Sequence, residues 1–317
     1  MKNPLFSIST PTYNRSKLLQ RSYDSLAAQT FQDFEWLVID DGSTDNTQEV
    51  VAKMAASAKF PIRYIRKANG GKHTCVNLAV REARGALYTN LDSDDWFVPH
   101  AFERMKYHWE QLSPSDKKRL TGVVGLYAWE SGEILGKKFP SDPLETDDLE
   151  LKFRFEIHDE KIGFMRTEVM REFPFPELPD HRVRFSVIFC PESIVWNRIG
   201  LKYPTRFINE VFAIKEYQSD GITLRGRLIV AENSKFFLMY SQDLLTCKRK
   251  LPISVALKCY CNYIRLSLHQ NVPWKTQMSQ IPSKHLFLAC APAGVFLWRR
   301  DRRTLDSYAR KAAQSRS

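Results

Sequence analysis

A strand and an acidic turn follow one another in Gly85-Ala86-Leu87-Tyr88-Thr89-Asn90-Leu91-Asp92-Ser93-Asp94-Asp95-Trp96. The first seven residues are small, β-branched or aromatic, which predicts a buried strand. Three carboxylates then fall within four positions, where this strand ends. In an open α/β sheet that end is where ligands bind, because loops and helix N-termini converge outside the strand tips.

Two interpretations of Asp92, Asp94 and Asp95 are open from this stretch alone. Carboxylates this close repel one another unless a positive charge lies between them, and a hard divalent cation carrying a substrate phosphate, Mg2+ or Mn2+, would supply it. Alternatively, the stretch is a solvated turn that caps a helix beginning at Pro99. The rest of the chain decides between a metal site and a cap.

Three strand-and-helix units precede the acidic stretch. Strands are predicted at residues 5–10, 34–39 and 61–66, and the apolar residues between them recur at helical spacing, with Ser16 available to cap the first helix. The order βαβαβαβ, with long crossovers, favours an α/β fold with a parallel, doubly wound sheet. The carboxyl ends of all four strands should then face one crevice.

Polar residues follow each of these strands. The four segments are Pro11-Thr12-Tyr13-Asn14-Arg15, Asp40-Asp41-Gly42-Ser43, Asn69-Gly70-Gly71-Lys72-His73 and the acidic stretch itself. They offer an aromatic face for a base, carboxylates for base or ribose, a glycine loop with a cation for phosphates, and a metal site. Each has an ordinary alternative as a loop, turn or cap. Their arrival at one edge of the sheet is what favours a ligand site.

Composition places the chain among ordinary globular proteins. Its 317 residues, 43% hydrophobic and 26% charged, suffice for one large α/β domain with extensions or for two domains. The N-terminus has no signal-like pattern, which predicts a cytoplasmic protein. Six cysteines without a C-x-x-C pair predict reduced structural thiols rather than zinc or disulfides.

The order and spacing of the four motifs resemble the second family of glycosyltransferases, inverting enzymes with the GT-A fold. The resemblance is strong up to the acidic stretch and thins beyond it. It implies a Rossmann-like, doubly wound, mostly parallel sheet with a helical C-terminal extension. The catalytic domain would span residues 1–240, with a nucleotide-sugar half at 1–98 and an acceptor half at 99–240.

The resemblance also implies a nucleotide-sugar donor, most often a UDP-sugar. Tyr13 would lie against the uracil, Asp41 would accept from its ring N–H, and Arg15 with Lys72 would sit near base or phosphates. The other donor-binding residues implied are Pro11, Thr12, Asn14, Gly70, Gly71, His73, Asn77, Asp92 and Ser93.

The acidic stretch would match the family's D-x-D signature. Asp94 would bind the divalent metal, Mn2+ or Mg2+, and Asp92 would face the ribose or the metal. Asp95 would act as a catalytic residue close to the transferred sugar or its acceptor.

Inverting transfer needs one base to take the proton of the acceptor hydroxyl. Glu192 follows Pro191, a helix-start residue, and is predicted in the first helical turn, where this family places its base. A glutamate there is also favoured by the helix dipole whatever its function, and Ser193 stands where many relatives have Asp. Glu210, predicted to end a strand, is the reserve candidate.

The rest of the acceptor half has weaker signals. Residues 121–127 predict another strand, whereas residues 142–159 are charged and poorly periodic and predict a surface excursion. Asp220-Gly221-Ile222-Thr223 predicts a turn into a flexible segment whose Arg225 and Arg227 could neutralise phosphate.

Residues 241–317 predict a helical, basic extension. A helix is expected at 251–268, and the apolar run 286–298 is interrupted by Pro292 and Gly294 and is too short to span a bilayer. Two alternatives are open for residues 286–303. They form either an interfacial helix with arginines on an anionic leaflet, at the inner face of the cytoplasmic membrane, or a buried helix packed against the catalytic domain.

The resemblance therefore implies a metal-dependent inverting glycosyltransferase with a saccharide or lipid-linked acceptor, in surface polysaccharide or glycolipid synthesis. A sugar nucleotidyltransferase is one alternative, but Pro11–Arg15 stands where such enzymes have a glycine-rich loop. A peripheral membrane scaffold without catalysis is another, and intact Asp92, Asp94 and Glu192 disfavour it. Nucleic acid is not expected, since the basic residues do not interleave with stacking aromatics.

Overall fold

The computed structural model describes residues 3–216 and 226–314. The chain divides into two compact units, one formed by Met1–Glu177 with Val195–Ser219 and the other by Leu178–Ile194 with Asp220–Ser317. The predicted catalytic domain over residues 1–240 is a functional division and stays a prediction. The predicted turn at 220–223 and Arg225 lie outside the described residues.

The first unit is built on a mixed sheet that has nine strands among the described residues. They are β1 (Phe6–Thr12), β2 (Phe34–Asp40), β3 (Ile62–Arg66), β4 (Leu87–Asn90), β5 (Trp96–Phe97), β6 (Gly122–Trp129), β7 (Leu144–Thr146), β8 (Lys161–Arg166) and β9 (Thr205–Lys215). Their order in the sheet is β3-β2-β1-β4-β8-β6-β9-β5, with β7 paired to β9.

Helices connect these strands up to β9. They are α1 (Leu19–Ala27), α2 (Thr47–Ser57), α3 (Lys72–Glu82), α4 (Ala101–Glu110), α5 (Pro114–Arg119), α6 (Asp148–Phe153), α7 (Thr167–Glu172) and α8 (Ser193–Gly200). The predicted order βαβαβαβ is confirmed, and β3, β2, β1 and β4 are parallel. Strand β8 runs antiparallel to β4 and β6, while β6 and β9 are parallel, so the sheet is mostly parallel as predicted.

The core of this unit lies on both faces of β1 and β2. Ile8 and Trp36 on one face, and Leu37 and Ile39 on the other, are fully buried, as expected for central strands of a parallel sheet covered by helices on both sides. The predicted cap of α1 is wrong. The helix begins at Leu19, and the Ser16 backbone N–H donates to Asp45 Oδ2 at 3.1 Å instead of capping it.

Residues 142–159 are not a surface excursion. They contribute β7 and α6, and Leu151 and Ile157 are buried in a cluster with Phe139 and Phe207. The sequence signal was weak because short elements alternate here with charged residues, so neither helical nor strand periodicity extends over a full window.

The second unit is helical after residue 225. Its helices there are α9 (Gly226–Glu232), α10 (Ser234–Thr246), α11 (Ile253–His269), α12 (Trp274–Ser279) and α13 (Lys284–Gln314). The predicted interruption of the apolar run is wrong, because α13 continues through Pro292. Gly294 allows α11 to approach closely, since a Cβ there would lie 2.7 Å from Ile264 Cβ. Within the described residues, no helix has the length and apolarity needed to cross a bilayer.

A buried ion pair fixes α13 against α11. Arg265 donates from Nε and from a terminal nitrogen to the two carboxylate oxygens of Asp301, at 2.5 and 2.8 Å. His269 Nε2 lies 3.1 Å from the same carboxylate.

All six cysteines are free thiols, as predicted.

Candidate active site

The carboxyl ends of β1 to β4 meet at one edge of the sheet. Thr12 pairs with Asp40, and Asp40 pairs with Arg66, so the loops that follow these strands start side by side. The loop after β4 joins them, because the Leu91 N–H donates to the carbonyl of Ser9 on β1 at 2.8 Å. The four polar segments singled out in the sequence therefore share one rim.

The acidic stretch forms a tight turn whose carboxylates are held by cations from the other loops. The Asp95 N–H donates to the Asp92 carbonyl at 3.0 Å and closes the turn. Arg15 Nη1 lies 2.9 Å from Asp94 Oδ2, and Lys72 Nζ lies 2.6 Å from Asp92 Oδ1. Both carboxylates remain partly exposed at the rim, with 18% and 31% of their side chains accessible.

Asp92 is held in its charged form. Burial alone would raise the pKa of its carboxyl, but the charge and hydrogen bond of Lys72 outweigh burial and lower that pKa below its usual value of 3.8. Asn90 Nδ2 also donates to Asp92 Oδ1, at 3.2 Å. At neutral pH this side of the rim therefore carries a negative charge with a lysine beside it.

Asp95 has a different environment. It is only 1% exposed, and neither carboxylate oxygen makes a hydrogen bond of ordinary geometry with a described residue. Burial, followed by repulsion from Asp92, raises the pKa of Asp95 to about 7, and Lys215, whose Nζ lies 3.7 Å from Oδ2, opposes that rise. Contact of Asp95 with a transferred sugar stays a prediction.

Asp41 organises the glycine loop. Its carboxylate accepts from the N–H groups of Gly70 and Gly71, at 2.9 and 2.7 Å, and from Lys67 Nζ at 2.6 Å. Gly71 has φ +90°, a conformation that suits glycine, and directly precedes α3. In the structure these two amides donate to Asp41, and binding of phosphates by this loop stays a prediction. Binding of a base N–H by Asp41 stays a prediction.

The loop after β1 presents an aromatic ring to solvent. Tyr13 is 47% exposed. Asn14 adopts φ +53°, and its Oδ1 accepts from the Thr44 N–H at 2.7 Å while its own N–H donates to Ser43 Oγ at 2.9 Å. These bonds fix the loop to the one after β2. Pro11 and Thr12, also predicted to bind the donor, end strand β1.

Other residues of the predicted donor site lie deeper. His73 and Ser93 are 4% exposed, and Asn77 is 5% exposed. The Asn77 amide exchanges hydrogen bonds with the backbone of Phe175, at 2.9 and 2.8 Å, and donates to Glu177 at 2.7 Å. It therefore ties α3 to the chain after α7, and its predicted contact with a donor stays untested.

The two candidate bases lie in different settings. Glu192 directly precedes α8, which begins at Ser193, so Pro191 does not begin the helix as predicted. Glu210 lies inside β9 rather than at its end. Arg104 donates to both carboxylate oxygens of Glu210, at 2.9 and 2.6 Å. His108 Nε2 lies 2.9 Å from Glu210 Oε1. The hydrogen bond from Arg104 lowers the pKa of Glu210, which suits a structural ion pair better than a base.

Sequence reasoning missed three cations at the rim. Lys67 follows β3 and could have been found by the same strand-end argument that found Asp41. Lys215 ends β9, which was expected to stop earlier. Arg21 had no sequence signal; it donates to the Asp94 carbonyl at 3.0 Å, pairs with Glu216 at 2.7 Å and stacks on Trp96 at 4.0 Å.

Cavity size does not identify this rim. A cavity of about 670 Å3 opens at the opposite edge of the sheet, where Leu5 and Gly85 lie before β1 and β4.

Among the residues that the structure describes, no group of three or more His, Cys, Asp or Glu side chains is arranged to hold a metal. A cation at Asp92 and Asp94 would need oxygens from a ligand.

Comparison with known proteins gives the family. The sequence model described as "Glycosyl transferase family 2" matches residues 7–131, which contain all four polar segments. Residues 7–131 are a glycosyl transferase family 2 domain. This identity confirms the resemblance noted from the motifs.

Curated relatives are similar to this chain over part of its length. A chondroitin synthase of Pasteurella multocida (strain Pm70) is 43% identical over 100 residues, which are 32% of this chain and 10% of that protein. An uncharacterized glycosyltransferase of Rickettsia bellii (strain RML369-C) is 29% identical over 217 residues, which are 65% of this chain and 30% of the relative. The chain thus spans well under half the length of these relatives.

Solved structures share the fold over nearly the whole chain. Residues 1–349 of S. aureus TarS, in complex with UDP-GlcNAc, superpose with a TM-score of 0.57 at 18% identity, covering 95% of this chain and 91% of that one. The mannosyltransferase PcManGT from Pyrobaculum calidifontis, in complex with GDP-Man and Mn2+, gives 0.54 at 16% identity, covering 99% and 87%. The predicted GT-A fold is confirmed.

Proposed function

We propose that this protein is a metal-dependent inverting glycosyltransferase that moves a sugar from a nucleoside diphosphate donor, in first place a UDP-sugar, to a saccharide or lipid-linked hydroxyl. The observation that carries the proposal is the pairing of Asp92 with Lys72 and of Asp94 with Arg15 at one rim. Two carboxylates and two cations there can hold a cation and a diphosphate together.

The residues fit a divalent cation. Asp92 and Asp94 are partly exposed and face cations rather than the core, so their oxygens can exchange partners. Mg2+ and Mn2+ are commonly held by one or two carboxylates, with substrate phosphates and water as the other ligands. When bound there, the cation would neutralise the charge of the departing diphosphate. PcManGT, which shares the fold, was solved with GDP-Man and Mn2+, and this supports the proposal.

The donor nucleotide would lie across the loops after β1, β2 and β3. The exposed ring of Tyr13 offers a stacking face for the base, and Asp41 Oδ2, which accepts from Gly71, has capacity for a base N–H. Arg15 and Lys72 would turn from the carboxylates to the phosphates. Pro11, Thr12, Asn14, Gly70, His73, Asn77 and Ser93 are proposed to shape this site.

The chemistry is a single displacement. Glu192 would accept the proton of the acceptor hydroxyl while its oxygen bonds to the anomeric carbon and the bond from that carbon to the diphosphate oxygen breaks. Attack from the face opposite the leaving group inverts the configuration. Asp95, a buried carboxylate without an ordinary hydrogen bond among the described residues, would receive a hydroxyl of the transferred sugar or the acceptor.

A polysaccharide or glycolipid acceptor fits what the relatives are named for. The chondroitin synthase of Pasteurella multocida, which is 43% identical to this chain over 100 residues, supports a polysaccharide acceptor. We place the protein in surface polysaccharide or glycolipid synthesis, at the cytoplasmic side of the cell.

Calorimetric titration with UDP, with and without Mn2+, tests the proposal. Binding should require Mn2+ and should disappear in Asp94→Ala, while Asp116→Ala, a carboxylate on α5 away from the rim, should bind like the wild type. Incubation with UDP-sugars and GDP-sugars then identifies the donor by release of the diphosphate. Failure of both UDP and GDP to bind with metal present would overturn the donor assignment.

A further inference from the structure

The positive charge of the chain is concentrated in its C-terminal part. Residues 244–317 contain fourteen Lys and Arg, two Asp and no Glu, a formal charge of +12. The whole chain carries +11, so the first 243 residues together are close to neutral. The basic character is therefore a property of the second unit rather than of the donor-binding rim.

Helix α13 has two apolar faces. Its inner face packs on α11 through Phe287, Cys290 and Gly294, which are buried. Its outer face presents an apolar stripe of exposed residues that recur every three or four positions. The stripe consists of Leu288, Ala289, Pro292, Ala293 and Phe296. Leu288 and Phe296 are 58% and 63% exposed. A contiguous patch of exposed apolar side chains often marks an interaction site.

Neighbouring helices also expose large apolar side chains close to α13. Cys290 Sγ lies 3.8 Å from the Leu257 carbonyl of α11, and the Trp274 ring of α12 packs edge-on against Phe287 at 5.4 Å. Leu257 and Trp274 are themselves 38% and 40% exposed, and Ile253, one turn before Leu257, is 66% exposed. Three helices thus expose large apolar side chains around the same end of α13.

Arginines continue the outer face of α13 where the apolar stripe ends. Arg299 and Arg303 follow Phe296 at the same helical spacing, with Arg302 beside them, and all three are exposed. Exposed Lys258 and Lys284 lie on the helices that carry the apolar residues. The surface is therefore apolar in the middle and cationic at its border.

We propose that this surface binds an anionic phospholipid bilayer, with the apolar stripe in the headgroup and acyl boundary. Interfacial helices combine an inserted apolar face with basic residues that attract anionic headgroups, and both are present here on one folded element. A second copy of the chain is a poorer occupant. A symmetric contact through this face would bring two arginine clusters together, and like charges at an interface oppose association.

Co-sedimentation of the full chain with vesicles tests the proposal. We expect binding to phosphatidylcholine vesicles that contain phosphatidylglycerol, weaker binding at high salt, and little binding to phosphatidylcholine alone. Combined Arg299→Gln, Arg302→Gln and Arg303→Gln should weaken binding about 100-fold, at about fivefold per arginine. Phe296→Ser should weaken binding at every salt concentration, because it removes insertion rather than charge.

Matched control variants distinguish binding through this surface from non-specific binding of vesicles and from misfolding. Lys53→Gln, Lys59→Gln and Lys118→Gln remove three exposed lysines of the first unit, and Tyr107→Ser removes an aromatic ring 47% exposed there; both should bind vesicles like the wild type. Sedimentation equilibrium tests the rival occupant. Absence of vesicle binding, equal binding by Phe296→Ser, or self-association abolished by Phe296→Ser would overturn the proposal. UDP titration is independent of this result.

Discussion

Arg15 and Asp94, which are 79 positions apart in the chain, form an ion pair at 2.9 Å that joins the loop after β1 to the acidic turn after β4. Lys72 and Asp92 form a second such pair at 2.6 Å. Each carboxylate that we propose as a metal ligand is thus already paired with a cationic side chain. Binding of metal and diphosphate would be an exchange, in which Arg15 and Lys72 trade carboxylate partners for phosphates.

Arg15→Met should change metal and nucleotide binding in opposite directions. Without nucleotide, Mn2+ should bind about threefold more tightly, since Asp94 loses a competing, partly exposed partner. With Mn2+ present, UDP should bind about 10- to 100-fold more weakly, because a charge-assisted hydrogen bond to phosphate is lost. Titration of each ligand measures both effects, with exposed Arg81→Met as the control. Weakening of both would contradict the exchange.

Tyr13→Ala should weaken UDP binding about 5- to 150-fold, the range measured for stacking of a base on an aromatic ring. Mn2+ binding and thermal stability should not change, because the ring is half exposed. Tyr13→Phe keeps the ring and should bind UDP like the wild type. Equal losses in the two variants would point to the hydroxyl and remove the stacking assignment.

Asp41→Asn should lower the free energy of unfolding by about 2–4 kcal/mol, since a buried carboxylate that accepts two amides and a lysine loses its charge. Urea unfolding measures the change. Lys67→Met and the double variant complete a cycle, and we expect the two effects to be non-additive because the groups are in contact. Additive effects would show that the pair is not coupled.

Glu192→Gln should reduce kcat about 100- to 10,000-fold, as expected when a general base is removed. UDP affinity should stay the same, which separates loss of the base from loss of the fold. Glu210→Gln is the matched comparison. It should weaken the contact with Arg104 and lower stability while transfer continues. The opposite pattern, with activity lost only in Glu210→Gln, would move the base to β9.

Asp301 gives the second unit a pH dependence. Burial alone would raise the pKa of Asp301, but hydrogen bonds from His269 and Arg265 outweigh it and lower that pKa below 3.8. The ionised carboxylate therefore stabilises the folded protein. This contribution is fully present above pH 3.8, and it is lost as the pH falls through the pKa that Asp301 has in the folded state.

Asp301→Asn should cost about 3–5 kcal/mol of unfolding free energy at pH 7, because Arg265 would remain buried without its charged partner. The difference in unfolding free energy between the variant and the wild type should become smaller as the pH falls below 3.8. Urea unfolding at several pH values measures it, and exposed Asp306→Asn on the same helix is the control. A gap that is constant with pH would exclude the ion pair as its source.

The sequence predicted the parallel strands β1 to β4 well because the signals for them are local. Each strand from β1 to β4 is a short apolar run, each ends in polar residues, and the parallel order then places those ends together without any knowledge of side-chain contacts. The same reasoning located Asp41, Asp92 and Tyr13 at one rim.

Long-range contacts explain what the sequence did not predict. The sequence did not predict that the amides of Gly70 and Gly71 donate to Asp41. Arg21 and Lys215 reach the acidic turn from α1 and β9, and no spacing in the sequence connects them to it. Pro292 predicted a break in α13, yet the helix continues, because packing on α11 overrides a local propensity.

Strand β5 follows the acidic turn directly, but it pairs only with β9 among the described strands, through Trp96 with Ile214 and Phe97 with Ala213. During synthesis the turn therefore emerges from the ribosome long before the strand that fixes its far side. Domains fold as their residues become available. The parallel half can assemble early, but the acidic turn acquires its final support only after residue 214 has been made, which ties the finished rim to completion of β9.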